Sequence, residues 1–499
     1  MGEPQGWLFE PSFNRSVKVQ LSNDRITSDG GLLLLREADH RLGLIEHLAG
    51  QLVDPRQREL IRYQLVELLR ERVYTLAMGY SAQDDVDRLA HDPAMKLAAW
   101  NRRGQRPLDE RLASQPTQSR LINILISTPG NRAALRDSLA DCCERHLRAT
   151  GGDHAARNIT VDIDSFPISV HGRQPGAAYN GHYRDTVYHP LVASYAVAGD
   201  YDSMQHGHRL GNGFLHAILR QGQVHTAHGV RRFVQEVVRK AKRLGWVVDL
   251  RIDAGYTDGA TLDYLTEEKQ RFLGRIKSNA VLQRLAAPHL TRPVGRPPRE
   301  GYETIVELGP YQAESWKHAQ RLLLVVIDHP DPKTGQLNLL PDYFFLVVGW
   351  KEEELDGPAA LAHYRRRGTF EDRLGEFQQA IGPHLSHADF ASNEALLLLS
   401  LLAFNLLSAL RIEYEGAAGS CLDLARFQRD VLKAGGRVVK RARRLVLQLA
   451  QVVAPFWNQL IGCLQHWKLP LRFPQPSGPR ARPWRQPPRH AFQFEVRRE

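Results

Sequence analysis

The sequence predicts an α/β protein in which a mixed-direction sheet follows a helical N-terminal region and precedes a β-rich insertion and a helical C-terminal region. Three changes of pattern predict this fold class. Apolar residues recur at three-and-four spacing as far as about residue 150, which is typical of amphipathic helices. From residue 157 short β-rich runs alternate with helical segments, and helical spacing returns at Gly357.

The first predicted unit, residues 1–150, is helical. Pro and Gly residues separate its helical segments, as expected for short connections between helices. The segments with the clearest helical spacing are LLLLREADHRLGLIEHLA, RELIRYQLVELLRERVYTLAMGY and LASQPTQSRLINILI.

The second unit, residues 151–276, contains the sheet. Its elements follow in the order strand, strand, strand, helix, strand, helix, strand, which indicates an α/β core with mixed strand directions. The predicted strands are 157–164, 188–197, 214–219, 246–252 and 272–276, and the predicted helices are 227–244 and 259–270.

The remaining sequence divides into three parts. Residues 277–350 form a β-rich insertion, with the clearest strands at 322–327 and 343–348. Residues 351–468 are predicted to be helical and include a long apolar run that is interrupted by polar residues and short for a membrane span, so we expect a buried helix there. The tail, 469–499, is rich in Pro and Arg and is expected to be extended or disordered.

The charge balance of the chain bears on its partners. The protein has 66 Lys and Arg against 55 Asp and Glu, a net charge of +11. This excess favours a polyanion such as nucleic acid, because neutralised phosphates release condensed counterions, although a merely basic soluble enzyme is the alternative. Four cysteines provide no disulfide framework or zinc pair, and the N-terminus has no signal-peptide pattern. We expect a cytoplasmic protein with no membrane partner.

Three aspartates stand at or near the ends of predicted strands. Asp162 and Asp164 lie two residues apart on one strand, so their side chains are expected on one face of the sheet. Asp253 ends another strand and precedes a turn. Open sheets bind ligands at the carboxyl ends of their strands, which makes these positions candidates for chemistry. For any one aspartate alone, a role in a cap or turn is the alternative.

A predicted helix supplies a further acidic candidate. Tyr364, Arg367 and Glu371 are spaced i, i+3 and i+7, which places them on one helix face, and Gln378 shares it. An arginine beside a glutamate keeps its carboxylate ionised, although a surface ion pair is the alternative. Carboxylates are ligands of Mg²⁺, and two such ions can support in-line cleavage of a phosphodiester.

Three motifs that contain these residues resemble the DDE transposases of bacterial insertion sequences. The motifs are DIDSF (162–166), RIDAGYTDGATLDYL (251–265) and YRRRGTFEDRLGEFQ (364–378). The closest resemblance is to the branch with a Tyr-x2-Arg-x3-Glu-x6-Lys signature and a β-rich insertion before the glutamate. Its surroundings also match in SDGGLLLLREADHRLGL (28–44), HGRQPGAAYNGHY (171–183), LRQGQVHTAHG (219–229) and AGGRVVKRARR (434–444).

The resemblance implies a ribonuclease-H-like catalytic core and assigns roles to the candidates. Asp164 corresponds to the first catalytic and metal-binding aspartate, with Asp162 as the second choice. Asp253 and Glu371 correspond to the other two carboxylates, and together these would hold two Mg²⁺ or Mn²⁺ ions. The implied function is to bind the inverted-repeat ends of an element, hydrolyse a phosphodiester and transfer the freed strand to target DNA. A homodimer in a synaptic complex is implied as well.

The resemblance and the charge pattern also suggest residues that contact DNA. Tyr364 and Arg367 correspond to signature residues at the DNA end, while Gln378 replaces the signature lysine. Residues 1–150 are assigned to recognition of the DNA ends. A basic run near the C-terminus is expected to contact phosphates, although a solvated face is the alternative; its residues include Lys440, Arg441, Arg443 and Arg444. Two alternatives stay open: a nuclease on the same fold without strand transfer, and an inactive copy that only binds DNA.

Overall fold

The structure is a computed structural model. It describes residues 8–14, 16–101, 104, 106–151, 154–197, 211–224, 228–292, 301–330, 340–442 and 444–467. Arg443 and the tail at 469–499, for which the sequence suggests phosphate contact and an extended chain, lie outside the described residues.

Helices dominate residues 32–149, in agreement with the helical spacing of the sequence. Gly43 separates the first two helices, because its φ of 59° is a left-handed conformation that ends a helix at low cost. The bounds are α1 Leu32–Leu42, α2 Leu44–Gln51, α3 Leu65–Ala77, α4 Asp85–Leu89, α5 Pro93–Ala99, α6 Arg106–Asp109, α7 Gln115–Arg120 and α8 Pro129–Ala149.

The strands of the described residues form three sheets. Their bounds are β1 Arg25–Thr27, β2 Asn158–Ser165, β3 Ile168–Ser169, β4 Ala178–Asn180, β5 Asp185–Tyr188, β6 Leu191–Val197, β7 Asn212–Ile218, β8 Val247–Ile252, β9 Arg271–Ile276, β10 Tyr302–Tyr311, β11 Gln320–Asp328, β12 Asp342–Val348, β13 Gly436–Arg441 and β14 Arg444–Leu449.

The largest sheet has eight strands in the order β10-β11-β12-β9-β8-β2-β6-β7. Strand β8 is parallel to both of its neighbours, β2 and β9. In contrast, β6 is antiparallel to β2, and β12 is antiparallel to β9. The expectation of an α/β fold with mixed strand directions is therefore confirmed. One predicted strand, 188–197, is two strands: the chain leaves β5 at Tyr188 and enters β6 at Leu191. Pro190 lies in this break, where strand pairing does not require the backbone N–H that proline lacks.

The β-rich segment between residues 277 and 350 continues the main sheet. Strands β11 and β12 cover the two predicted strands, and β10 is a third that the sequence did not reveal. Because β12 pairs with β9, these three strands belong to the same hydrogen-bonded sheet as the core strands. Apolar side chains of β11 and β12 pack into both hydrophobic clusters that flank this part of the sheet.

The chain after β7 contributes the remaining α-helices of the described residues. Their bounds are α9 Val230–Ala241, α10 Gly259–Glu267, α11 Ala280–Ala286, α12 Gly357–Arg365, α13 Gly368–Ala380, α14 Phe390–Ala418, α15 Leu424–Phe427 and α16 Ala454–His466. Helix α14 is long and apolar enough to cross a membrane by composition, but its apolar window is entirely buried inside the protein, which confirms the predicted buried helix. Asn405 on α14 accepts from the N–H of Phe214 and donates to its carbonyl, both at 2.8 Å, so this buried amide is satisfied by strand β7.

Helices do not extend through the whole segment 351–468, and this expectation was wrong. Strands β13 and β14 form a hairpin there, and β1 pairs with β13 from the other end of the chain. The motifs SDGG and AGGR meet at this junction, where the N–H of Gly30 donates to the carbonyl of Ala434 and that of Gly31 to the carbonyl of Leu432. The pairing partner is more than 400 residues away in sequence, so local periodicity contained no signal for it.

Candidate active site

Two of the predicted acidic residues meet at one edge of the main sheet. Asp164 lies at the end of β2, and Asp253 directly follows β8. The two strands are parallel neighbours, with Ile163 opposite Ile252, so their carboxyl ends bring these aspartates side by side. The pKa of Asp164 is raised, chiefly by burial and in part by the negative charge of Asp253, against the attraction of Arg367.

The carboxylate of Asp164 is held by groups from three parts of the chain. Its Oδ1 accepts from the backbone N–H of Ser165 at 2.7 Å and from the hydroxyl of Tyr256 at 3.3 Å. Its Oδ2 accepts from the guanidinium of Arg367. A carboxylate with a cation on one oxygen and neutral donors on the other is fixed in orientation.

Arg367 and Tyr364 reach this edge from the break between α12 and α13. Burial opposes the charge of Arg367, but the attraction of Asp164, followed by that of Tyr364 and Asp253, raises the pKa of this guanidinium above its ordinary value. The Tyr364 hydroxyl lies 3.5 Å from Oδ1 of Asp253. Burial raises the pKa of Tyr364 to about 12, so it is a neutral donor at pH 7.

The predicted continuous helix through the signature is interrupted. Helix α12 ends at Arg365 and α13 begins at Gly368. The N–H groups of Arg367, Thr369 and Phe370 bond to the carbonyl three residues earlier, which tightens the backbone at the junction. The prediction that Tyr364, Arg367 and Glu371 share one face of a regular helix was therefore wrong in its geometry, although the first two still reach the aspartates.

Glu371 lies in the first turn of α13 with an exposed side chain. Within the described part of the chain, no group of three or more His, Cys, Asp or Glu side chains is close enough to hold a metal ion. The structure thus brings Asp164 and Asp253 together but does not gather all three predicted carboxylates around one centre.

Asp162 has a different environment from Asp164. Its two oxygens accept from Nε and Nη2 of Arg251 at 2.8 and 2.7 Å, and the side chains are 1% and 0% exposed. Arg251 also donates to the carbonyl of His363 at 2.9 Å, which links β8 to α12. Such a buried, bidentate pair satisfies both charges within the sheet.

The structure adds neighbours to which the sequence analysis gave no role. Tyr256 follows Asp253 in the RIDAGYTDG motif, and Ser165 follows Asp164 in DIDSF. Their closeness in sequence to a candidate aspartate was therefore the signal that could have identified them as site residues. His189 lies in the break between β5 and β6, with Nε2 2.8 Å from Oγ of Ser165. Nothing local in the sequence connected it to a residue of β2.

The other predicted DNA contacts are Gln378 and the basic run. Gln378 is exposed on α13 and lines a groove of about 400 Å³ together with Phe166, Gln174 and His384. The basic run forms the tip of the β13–β14 hairpin, where Arg441 stands opposite Arg444. The described basic residues of this tip, Lys440, Arg441 and Arg444, are all exposed.

The family model described as transposase DDE domain group 1 matches residues 9–466. No curated protein matches the chain. Among solved structures, it is similar to a piggyBac transposase, seen by cryo-EM in a synaptic complex with hairpin DNA, at 13% sequence identity and a TM-score of 0.44; the match covers 82% of this chain and 81% of that chain.

Proposed function

Because this chain belongs to the DDE transposase family, we propose that it binds the inverted-repeat ends of a bacterial insertion sequence and catalyses metal-dependent cleavage and strand transfer. The observation that carries the proposal is the meeting of Asp164 and Asp253 at adjacent carboxyl ends of parallel strands. Phosphodiester chemistry needs negative ligands for metal ions at one edge of a rigid scaffold, and this pair supplies them.

The chemistry of the pair fits a divalent cation. Burial and, in smaller part, the charge of Asp253 raise the pKa of Asp164, and the guanidinium of Arg367 is paired with the Asp164 carboxylate. Asp164, Asp253 and Glu371 would hold two Mg²⁺ or Mn²⁺ ions, with Asp164 preferred to Asp162 because Arg251 already satisfies the latter. When bound, the metal ions would polarise the phosphate and activate the attacking oxygen.

The protein's own side chains have separate tasks in this proposal. Tyr364 and Arg367, placed at the same edge, would bind the terminal phosphates of the DNA end. Gln378 and the hairpin residues Lys440, Arg441, Arg443 and Arg444 would contact DNA further from the reacting phosphate. In the DNA-free protein the guanidinium of Arg367 is bonded to Oδ2 of Asp164. A DNA phosphate that takes over this guanidinium would therefore free Oδ2 for a metal ion.

The organisation of the chain supports a ribonuclease-H-like core. Strands β2, β6 and β7 are joined antiparallel, and β8 and β9 are then added parallel to β2. We assign residues 1–150 to recognition of DNA ends and 151–276 to the first part of the core. Residues 277–350 form the insertion, and 351–468 complete the site with Glu371. The proposed setting is a homodimer holding two DNA ends in the cytoplasm, at the nucleoid.

Two features favour a second candidate, an inactive copy that binds DNA without cutting it. Gln378 stands where the family signature has lysine, and Glu371 is not gathered with the aspartates. The loss of a phosphate-directed charge weakens DNA-end contact, and a missing third ligand weakens metal binding. A nuclease without strand transfer is the third possibility.

One incubation separates these functions. The full-length protein is mixed with Mg²⁺, target plasmid and a DNA fragment that carries the sequences on both sides of the gene. Joined products support a transposase, nicked DNA without joining indicates a nuclease, and binding without cleavage indicates the inactive copy. Glu371→Ala is expected to abolish cleavage and to retain binding, and retained cleavage would overturn its assignment. The matched control is Asp372→Asn, the exposed neighbour on α13, which should cleave normally.

A further inference from the structure

Tyr256 connects the two aspartates through both its backbone and its side chain. Its N–H donates to the carbonyl of Asp253 at 2.9 Å, which closes the turn after β8. Its hydroxyl lies 2.5 Å from Oγ of Ser165 and 3.3 Å from Oδ1 of Asp164. The side chain is 2% exposed, so this hydroxyl acts in a site from which water is largely excluded.

The hydroxyl of Tyr256 is itself held in place. Because the single hydroxyl proton of Tyr256 goes to Oδ1 of Asp164, the tyrosine oxygen accepts from the hydroxyl of Ser165, and Oγ of Ser165 lies 2.8 Å from Nε2 of His189. The serine proton is then directed to the tyrosine, so the serine oxygen accepts from Nε2–H of His189. Burial, together with the positive charges of Arg220 and His182, lowers the pKa of His189 to about 4, so the ring is neutral at pH 7 and has one N–H to donate.

His189 has a fixed backbone as well as a buried ring. Its N–H donates to the carbonyl of Arg220 at 3.1 Å, and its carbonyl accepts from Nε of Arg220 at 3.0 Å. The series His189, Ser165, Tyr256 and Asp164 is therefore anchored at its far end to the chain after β7. Each member of the series lies on a strand or within four residues of the end of one.

We propose that Tyr256 is a positioning residue, which pins Oδ1 of Asp164 so that Oδ2 is presented to a divalent cation between the two aspartates. The two oxygens of Asp164 have unlike partners. Oδ1 is bonded to the core through Ser165 and Tyr256, whereas Oδ2 is bonded to Arg367, whose long side chain can exchange one partner for another. The inference rests on the proposed function, because it assumes that Asp164 binds metal.

The test is Tyr256→Phe, which keeps the ring and removes the hydroxyl. Mn²⁺ is titrated into the full-length, DNA-free protein, and its affinity is measured by calorimetry and by the electron paramagnetic resonance signal of free Mn²⁺. Removing the partner of a metal ligand typically weakens binding about 10–100-fold, and a loss in this range is expected. Tyr264→Phe is the matched control, because this partly buried tyrosine on the following helix has no bond to Asp164, and its affinity should equal that of the unaltered protein.

Each outcome bears on the inference. A folded Tyr256→Phe protein that binds Mn²⁺ within about twofold of the unaltered protein overturns it, since the loss of a side chain that holds a metal ligand normally has a larger effect. If Tyr256→Phe does not fold, Ser165→Ala decides, because it removes the group that holds the tyrosine hydroxyl; weaker Mn²⁺ binding supports the inference and unchanged binding overturns it. Asp164→Asn identifies a different failure: if it binds Mn²⁺ normally, the proposed metal site itself is wrong.

Discussion

Arg367 donates a charged hydrogen bond to Oδ2 of Asp164, a residue 203 positions earlier in the chain. The sequence predicted that Arg367 contacts DNA, whereas in the structure its guanidinium is hydrogen-bonded to a proposed metal ligand. A cation in that position competes with a divalent ion for the same oxygen. It also offsets the repulsion between the two adjacent carboxylates before DNA and metal are bound.

Arg367→Ala is expected to increase the affinity of the DNA-free protein for Mn²⁺ by about tenfold. The reason is that a unit charge about 4 Å away contributes at least about 1 kcal/mol, while Ser165 and Tyr256 still orient the carboxylate. Titration calorimetry measures the change, and Arg365→Ala, which removes a surface arginine bonded to Glu303, is the control. A loss of affinity would mean that Arg367 orients Asp164 rather than competing for it.

Asp162→Asn is expected to destabilise the protein, whereas Asp164→Asn is expected to remove activity. The first change leaves Arg251 buried beside a neutral amide, and breaking a buried ion pair costs about 3–5 kcal/mol. The second change removes a proposed metal ligand at the carboxyl end of β2. Denaturant unfolding measures stability, and the end-joining assay measures activity. If the two variants exchange these behaviours, Asp162 is the catalytic residue.

The strands that carry the aspartates could be predicted because each is a short apolar run that ends in an acidic residue. The choice between Asp162 and Asp164 could not be derived from their spacing. The deciding fact is that Arg251 of the neighbouring strand pairs with the first, and only the strand register brings that about. The roles of His189 and Tyr256 depend in the same way on contacts between strands.

The two errors of the sequence analysis also have physical causes. Helical spacing continues through the signature. Near Arg367, however, three N–H groups bond to the carbonyl three residues earlier, and this tighter turn separates α12 from α13. The hairpin at 436–449 gains its stability from β1, which lies at the opposite end of the chain. A window of local sequence contains neither the tightened turn nor the distant partner.

Gly31→Ala is expected to destabilise the junction of α1 with the hairpin. An added Cβ would lie 2.3 Å from Cα of Leu432, so backbone must move, at a cost of about 1–3 kcal/mol. Gly50→Ala is the matched control, because its Cβ meets open space within α2 and should stabilise the helix by about 0.5–1 kcal/mol. Thermal unfolding compares the two. Equal effects of the two substitutions would contradict the close approach.

Lys440→Ala and Arg441→Ala are expected to weaken DNA binding for all sequences alike. Each exposed cation that contacts a phosphate contributes about one unit to the slope of log affinity against log salt, so the slope should fall by about one for each variant. Binding is measured at several salt concentrations with end-containing and unrelated DNA. Arg148→Ala, on a helix surface and paired with Glu144, should leave the slope unchanged. An unchanged slope in the hairpin variants would place DNA elsewhere.

Stability is expected to fall as the pH decreases from about 6.5 towards 4, and His387 is a main cause. Burial, reinforced by the charge of Arg72, lowers the pKa of His387 from 6.5 to about 4, despite the opposing charge of Asp389. Between these two values the unfolded chain binds a proton that the folded chain does not, so protonation favours unfolding. The contribution of this group to the free energy of unfolding is therefore fully present above pH 6.5 and is lost as the pH falls. At pH 5 the loss is about 2 kcal/mol. Denaturant unfolding at pH 7 and pH 5 should show a smaller difference for His387→Gln, while exposed His91→Gln keeps the full difference. If both variants retain the same pH dependence, His387 is not a source of the acid sensitivity.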